Sequence, residues 1–199
     1  MTDSPTLHSI NLAAVSPMLI EGRRIMSGIN KLPVSTLQRP ESIAVGKLGL
    51  AGDEQADPTV HGGLAKAIYA YPLEHYPFWQ QACQQHGSRH AGSALHHGML
   101  GENLTISGLL EQHAYVGDVL EFADCRLQIT EPRQPCFKFQ AHMDMRLAVK
   151  LMAQSGHCGF YLAVLQTGTL RAGESFRILP GPRELSMADA FRRRLRRLD

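Results

Sequence analysis

Glu131-Pro132-Arg133-Gln134-Pro135-Cys136-Phe137-Lys138 sets one thiol between two cations, and two prolines stiffen the run. Because proline fixes its own φ and disfavours helical geometry in the residue before it, these residues are predicted to form a rigid loop and not a helix. Arg133 and Lys138 favour the thiolate of Cys136, which is the form that attacks an electrophile or binds a metal. The other interpretation is a proline-rich turn with a buried structural cysteine and two solvated cations.

The residues before this loop are predicted to form a β-hairpin whose second strand leads directly into the loop. Residues 119–122 and 125–130 have strand-like patterns, with Ala123-Asp124 at the turn. Alternate residues of the second strand share one face, which places Cys125 in the core as a small apolar residue. The loop therefore begins at the end of a sheet, where functional sites are common.

Composition limits the class of protein. The 199 residues fit one domain, or one domain with an appendage, and 44% of them are hydrophobic, which allows a sizeable core. Eighteen glycines and eleven prolines indicate many turns and favour a mainly β fold. The net charge of +2 does not indicate a nucleic-acid partner.

Location is predicted from what the sequence lacks. No basic segment followed by an apolar one begins the chain, and no apolar run approaches the roughly 20 residues that span a bilayer. The four cysteines form no CxxC pair and no disulfide-like framework. A cytoplasmic protein without a membrane partner is therefore expected.

The remaining elements follow from periodicity and from glycine and proline positions. Helices are predicted over residues 77–85 and over residues 144–155, the second capped by Asp144. Residues 23–39 carry no pattern that predicts an element. Further strands are predicted over residues 10–15, 42–45, 159–165 and 175–179. Residues 66–71 are apolar with polar breaks and end at Pro72.

A glycine- and acid-rich segment follows the strand predicted over residues 42–45. It contains Gly49-Leu50-Ala51-Gly52-Asp53-Glu54-Gln55-Ala56, then Asp57, Val60-His61-Gly62-Gly63 and Lys66. Its glycines let the backbone approach a ligand closely, although a turn with capping carboxylates explains the same residues. A metal site formed by Asp53, Asp57 and His61 matches no zinc or calcium spacing.

The last residues are predicted to form an amphipathic helix. Ser186 and Asp189 resemble a capping box, and an apolar stripe of Met187, Phe191, Leu195 and Leu198 runs between arginines. Such a helix binds an acidic partner, nucleic acid or a membrane surface, or docks on its own domain with its arginines solvated. The domain boundary is placed at residue 180, with residues 181–199 as an appended helix.

Five separated motifs together resemble the MOSC domain, named for the C-terminal part of molybdenum cofactor sulfurases, and in particular its stand-alone YiiM-like type. The similarity covers about residues 10–180. It implies a closed barrel of mixed β-strands with helices packed outside, and a C-terminal appendage of three helices, of which the chain holds about one. The motifs are Gly49–Ala56, Val60–Gly63, Gly101-Glu102-Asn103-Leu104, 131–138 and Gly159-Phe160-Tyr161.

The resemblance implies a molybdenum cofactor of the molybdopterin type, with Cys136 as thiolate ligand of the metal, and no dependence on pyridoxal phosphate. Some members of the family reduce N-hydroxylated compounds, including purine bases, to amines, with two electrons and two protons giving N–H and water. Asp53 and His61 are assigned to catalysis, His61 as the proton donor. The residues assigned to cofactor binding are Arg133, Lys138, Gln55, Gly62, Gly63, Lys66 and Asn103.

The electrons must come from another protein, because the sequence has no GxGxxG after a strand, no iron–sulfur cysteine pattern and no flavin signature. An external reductase is thus expected beside a small N-hydroxylated substrate. The alternative activity is sulfur transfer, in which Cys136 carries a persulfide to a metal cofactor. A third hypothesis is a non-catalytic binding module that acts through the arginine-rich helix.

Overall fold

The computed structural model describes residues 4–56 and 62–196. Strands dominate it, as the composition predicts, and none of the helices within these ranges is long and apolar enough to cross a membrane. The helices are α1 (Tyr76–Gln85), α2 (Phe137–Met143), α3 (Ala148–Ser155) and α4 (Met187–Leu195). The strands are β1 (Thr6–Leu12), β2 (Ser16–Ile20), β3 (Arg23–Ser27), β4 (Leu32–Thr36), β5 (Ser42–Gly46), β6 (Gly49–Leu50), β7 (Ile68–Pro72), β8 (Leu104–Ser107), β9 (Val119–Glu121), β10 (Arg126–Pro132), β11 (Phe160–Gln166), β12 (Gly168–Arg171) and β13 (Arg177–Leu179).

The main sheet has eight strands in the order β13-β9-β10-β11-β7-β8-β1-β4. It is mixed, because β7 and β8 pair parallel while the other neighbours pair antiparallel. Within the described residues no ladder joins β4 to β13, so the predicted closed barrel is not found as a continuous hydrogen-bonded cylinder. A single β-bridge between Thr6 and Ser175 links the start of β1 to the segment before β13.

Two smaller sheets complete the β structure. Strands β12, β5 and β6 form one, and β2 and β3 form a hairpin that pairs with no other described strand. The core has two buried clusters. One is built mainly from the strands and includes Ile10, Ile68 and Ile129, and the other contains Trp79 of α1, Phe139 of α2 and Phe191 of α4. The second cluster therefore packs α1, α2 and α4 against Tyr69 and Tyr71 of β7 in the main sheet.

Most elements with strong patterns are confirmed. The hairpin of β9 and β10 lies where alternation predicts it, and the Cys125 side chain is buried in the first cluster. The Ser186 side chain accepts a hydrogen bond from the Asp189 backbone N–H and so caps α4. The interpretation that α4 docks on its own domain is also supported, because Met187 and Phe191 are buried. Leu198, the last residue of the predicted apolar stripe, lies outside the described residues.

The prediction that residues 131–138 form a loop without helix was wrong at both ends. Strand β10 continues to Pro132, and α2 begins at Phe137, so that the loop is only residues 133–136. Pro132 lies at the end of its strand, and Pro135 stands two residues before the helix, where neither proline removes a hydrogen bond that the element needs.

The helix predicted over residues 144–155 is shorter than expected. It begins at Ala148, and Asp144 has φ +50° and ends α2 instead of capping α3. Aspartate is one of the few residues that tolerate this left-handed conformation. The segment 23–39, which had no readable pattern, contains β3 and β4.

Two glycines between α3 and β11 permit a matched stability test. Gly159 has φ +61°, and an added Cβ would lie 2.5 Å from the Ala70 carbonyl oxygen. Gly156 has φ +73°, but an added Cβ meets nothing within 4 Å. We expect Gly159→Ala to lower the free energy of unfolding by about 3 kcal/mol or more, and Gly156→Ala by only about 1 kcal/mol. Urea unfolding measures both, and equal losses would contradict the close-approach argument.

Candidate functional site

One cleft contains most of the residues that the sequence motifs single out. Its empty volume is about 670 Å³, including the part open to solvent. The hairpin foot contributes Ser27 and Gly28, and aromatic rings are contributed by Tyr69 of β7 and Tyr161 of β11. The predicted site residues that line the cleft are Asp53, Gln55, Lys66, Asn103, Arg133, Cys136 and Lys138.

Cys136 is the last residue of the short loop between β10 and α2. It takes the N-cap position of α2 with extended backbone, φ −140° and ψ 165°, and its carbonyl oxygen accepts from the Phe139 N–H at 3.0 Å. The residue is partly buried, so its thiol is not sealed in the core. In the described part of the chain, no group of three or more His, Cys, Asp or Glu side chains is arranged to hold a metal ion.

Arg133 is a buried cation beside this cysteine. Its guanidinium lies 4.8 Å from the ring centre of Tyr69 and 5.0 Å from that of Phe139, and Nη1 donates to the Leu100 carbonyl oxygen. Burial opposes its charge, but attraction to Tyr69, to Tyr161 and to Cys136 outweighs burial and raises the pKa of Arg133. The ring contacts thus fix a permanent positive charge next to the thiol.

Asp53 is held by three donors at the base of the cleft. Oδ1 accepts from the Lys31 ammonium at 2.5 Å and from the Ala13 N–H at 2.9 Å, and Oδ2 accepts from the Asn103 side chain at 2.9 Å. The side chains of Lys31 and Asp53 are only 7% and 6% exposed. Burial lowers the pKa of Lys31, and the attraction of Asp53 opposes that shift without cancelling it.

Asn103 uses its amide to position other groups. Besides the bond to Asp53, its Nδ2 donates to the Asn11 carbonyl oxygen at 3.3 Å, and its Oδ1 accepts from the Tyr69 N–H at 3.1 Å. Both N–H groups of the amide are therefore engaged within the protein. Asn103 joins β1, β7 and the segment that carries Asp53, and this fixes the floor of the cleft.

The other polar lining residues are held by the chain around them. Gln55 accepts from the Gly63 N–H at 3.0 Å, which links the two glycine-containing motifs across residues that the structure does not describe. Lys66 lies 3.6 Å from Glu131, and Glu131 also pairs with Arg194 of α4 at 2.5 Å. Lys138 donates to the Met26 carbonyl oxygen at 3.0 Å and so ties α2 to the β2–β3 hairpin.

Four predicted residues are not among the described lining residues of the cleft. Asp57 and His61 lie outside the described ranges, and the proton-donor role given to His61 stays a prediction. Gly62 and Gly63 are described but do not line the cleft, and Gly63 has φ +80° at the start of the short helical turn Leu64–Lys66. The positive φ explains why glycine stands at position 63.

Helix α2, which follows Cys136, contains a buried neutral histidine, His142. Burial, together with the charges of His90, Arg133 and Arg89, lowers the pKa of His142 from 6.5 to about 4, and its Nε2 has no hydrogen-bond partner. The folded protein then binds fewer protons than the unfolded chain in this range. The histidine's contribution to stability is complete above pH 6.5 and is lost as the pH falls toward 4.

We expect the free energy of unfolding to fall by roughly 3 kcal/mol, on account of His142, when the pH is lowered from 6.5 to 4. His142→Gln should remove this part of the pH dependence, while the part due to His157, whose pKa burial also lowers to about 4, should remain. His86→Gln, at the exposed end of α1, should leave the wild-type slope. Urea unfolding at several pH values measures the slopes. An unchanged slope in His142→Gln would show that other groups cause the acid sensitivity.

The match with known proteins agrees with the motif set. A family model described as MOSC domain matches residues 57–177. The chain belongs to the MOSC domain family. YflK of Bacillus subtilis (strain 168) is 33% identical over 171 residues, which cover 86% of this chain and 72% of YflK. YiiM of Escherichia coli (strain K12) is 30% identical over 157 residues, which cover 79% of this chain and 68% of YiiM.

The fold is that of other MOSC proteins of the YiiM-like type. The crystal structure of YiiM from Geobacillus stearothermophilus superposes with a TM-score of 0.74 at 31% identity, over 98% of this chain and 86% of that one. A Gibberella moniliformis (strain M3125 / FGSC 7600) protein named Reductase is 30% identical over 135 residues, which are 67% of this chain but only 23% of that protein.

Sequence reasoning missed Lys31, which is the nearest ionic partner of Asp53. It lies in the segment 23–39, and its importance arises from a contact across 22 residues of sequence. The only local signal is an isolated lysine before an apolar strand, Lys31-Leu32-Pro33-Val34, and a solvated lysine gives the same pattern.

Proposed function

We propose that this MOSC protein binds a molybdenum cofactor in the cleft and reduces N-hydroxylated compounds, such as N-hydroxylated purine bases, to amines. The observation that supports this most directly is the placement of one accessible thiol, Cys136, among the cations of a single cleft. Membership of the MOSC family and the homologue named Reductase favour a redox role.

The donor set of the cleft fits such a cofactor. A molybdenum ion that arrives with its own sulfur ligands needs one more soft ligand from the protein, and Cys136 is the thiol among the described lining residues. Lys66 and Lys138 are positioned to meet an anionic group such as the cofactor phosphate. When bound, the cofactor would supply two-electron oxygen-atom chemistry, which protein side chains cannot supply.

The protein's own residues then have separate tasks. Arg133 keeps its positive charge beside Cys136 and favours the thiolate, while its contacts with the rings of Tyr69 and Phe139 keep the guanidinium in place. Lys31 and Asp53 form the buried proton-bearing pair nearest the floor of the cleft, and Asn103 orients Asp53. Reduction of N–OH to N–H and water consumes two protons, so a positioned donor is needed.

The function is tested on protein made in a molybdenum-replete host. We expect about one molybdenum and one pterin for each chain, and turnover of N6-hydroxyadenine to adenine with reduced methyl viologen as electron donor. Elemental analysis, pterin fluorescence after oxidation and chromatography of the bases provide the readouts. Protein that holds neither molybdenum nor pterin, but carries an additional sulfur on Cys136 in its intact mass, would overturn the proposal in favour of sulfur transfer.

A further inference from the structure

The arginine-rich helix α4 is connected to the cleft through one carboxylate. Nη1 of Arg194 lies 2.5 Å from Oε2 of Glu131 on β10, and Oε1 of the same carboxylate lies 3.6 Å from Nζ of Lys66. Lys66 lines the cleft, and Glu131 is paired across the sheet with Tyr161, which lines it too. Two direct contacts thus join the surface of α4 to a cation of the cleft.

Three consecutive arginines of α4 have different surroundings. Arg192 pairs with Asp189 of its own helix at 3.0 Å. Arg193 is exposed, and no carboxylate of the described residues forms an ion pair with it. Arg194 lies three residues after the buried Phe191, on the side of the helix that packs on the domain, and its side chain is 42% exposed. Of these three neighbours, Arg194 is the one whose charge is placed against the sheet.

Strand β10 also holds the backbone from which Lys66 enters the cleft. The hydroxyl of Thr130, the residue before Glu131, donates to the Ala65 carbonyl oxygen at 2.6 Å. The ammonium of Lys66 lies 5.7 Å from the ring centre of Tyr161. Because the backbone of this segment is tied to the strand that carries Glu131, the carboxylate acts on Lys66 from a fixed position.

The three side chains form a charge cluster in which two cations flank one carboxylate. Arg194 is much closer to the carboxylate than Lys66 is, so Glu131 is neutralised mainly from the side of α4. The side chains of Lys66 and Glu131 are only 25% and 18% exposed, so solvent ions screen their interaction less than that of a pair at the surface. Without Arg194, the negative charge of Glu131 would act on Lys66 alone, and an anion in the cleft would meet a neutral pair.

We propose that Arg194 is a positioning residue of the cleft, which neutralises Glu131 from outside and so directs the positive charge of Lys66 to an anionic group bound in the cleft. This rests on the proposed function, in which the anionic group is the phosphate of the cofactor. It gives the arginine-rich helix a role in the site that requires no separate partner. A phosphate monoester or inorganic phosphate is the class of ligand that this cluster recognises.

The test measures the Kd of inorganic phosphate by calorimetric titration of the whole chain, produced in a host that makes no molybdenum cofactor, at low ionic strength. Arg194→Gln should raise Kd about fivefold, and Glu131→Gln should lower it about threefold, because the two changes shift the charge of the cluster in opposite directions. The double variant Arg194→Gln/Glu131→Gln restores the wild-type charge of the cluster and should lie within about twofold of the wild-type Kd. Arg193→Gln, the matched control, should change Kd by less than about 1.5-fold.

A further comparison separates action through Lys66 from a general loss of positive charge. In a Lys66→Gln background, Arg194→Gln should change Kd by less than about twofold, since the cation on which it acts has been removed. The same fivefold change with and without Lys66 would overturn the inference. So would an effect of Arg193→Gln equal to that of Arg194→Gln, or a wild-type protein that does not bind phosphate.

Failure of this inference and failure of the proposed function give different results. Suppose that phosphate binding depends on Arg194 and Lys66 as expected, while protein from a molybdenum-replete host holds neither molybdenum nor pterin. That result would reject the reduction chemistry and keep the phosphate site. Turnover of N6-hydroxyadenine by the loaded enzyme, together with phosphate binding that Arg194→Gln does not weaken, would reject the role of Arg194 alone.

Discussion

Cys136→Ala protein from a molybdenum-replete host is expected to contain less than about a tenth of the wild-type molybdenum and to lose at least about 100-fold in kcat/KM for N6-hydroxyadenine. The physical reason is that the protein's proposed bond to the metal is removed, while hydrogen bonds and charges alone must retain the cofactor. Elemental analysis and the viologen-coupled assay measure the two losses separately.

The matched control is Cys83→Ala. Cys83 is fully buried in α1, and burial raises the pKa of its thiol, so it is predicted to be an inert core residue. Its replacement should leave the molybdenum content unchanged and cost only about 1 kcal/mol of stability. A Cys136→Ala protein that keeps both metal and activity would contradict the proposed ligand role, whatever the control shows.

Asp53→Ala is expected to lower the free energy of unfolding of the cofactor-free protein by about 4 kcal/mol. The change leaves the buried ammonium of Lys31 without its counter-ion and leaves the N–H groups of Ala13 and Asn103 without their acceptor. Burial of an unpaired charge is among the few mechanisms that produce so large an effect. Urea unfolding without cofactor measures it apart from catalysis.

Two variants make this prediction specific. Glu54→Ala removes the neighbouring carboxylate, which accepts a hydrogen bond from the Val15 N–H, and it should cost about 1 kcal/mol. The double variant Lys31→Met/Asp53→Leu removes both charges and should recover at least about 2 kcal/mol relative to Asp53→Ala. A double variant no more stable than Asp53→Ala would show that the hydrogen bonds to Ala13 and Asn103, and not the ion pair, determine the loss.

The sequence predicts the parts of the fold that local patterns specify. The hairpin of β9 and β10 follows from alternation, and the start of α4 follows from Ser186 and Asp189. Helix α2 was not predicted because the two prolines before it indicate a loop, although both lie outside the helix. Asp144 was misassigned because a capping residue and a left-handed terminator share the same residue types.

The candidate site was predictable where motifs are contiguous and unpredictable where contacts are long-range. Arg133 and Cys136 belong to one short motif, and the structure brings them to the same cleft as Asp53 and Asn103. The motif could not show that Arg133 contacts two aromatic rings, or that the side-chain amide of Asn103 donates a hydrogen bond to Asp53. Such facts depend on which strands become neighbours, and no local pattern encodes that.

The contacts at both ends of the β2–β3 hairpin have a consequence for protein engineering. Asp53 and Glu54 accept hydrogen bonds from the backbone of Ala13 and Val15 just before the β2–β3 hairpin, and Asp53 also holds the ammonium of Lys31 after it. A graft of this hairpin from a relative therefore cannot be treated as an independent module. Chimaeras that transplant residues 16–27 alone should fit poorly on the recipient. Those that exchange residues 13–31 together with residues 53–54 keep both sets of contacts and should fold as stably as the parents.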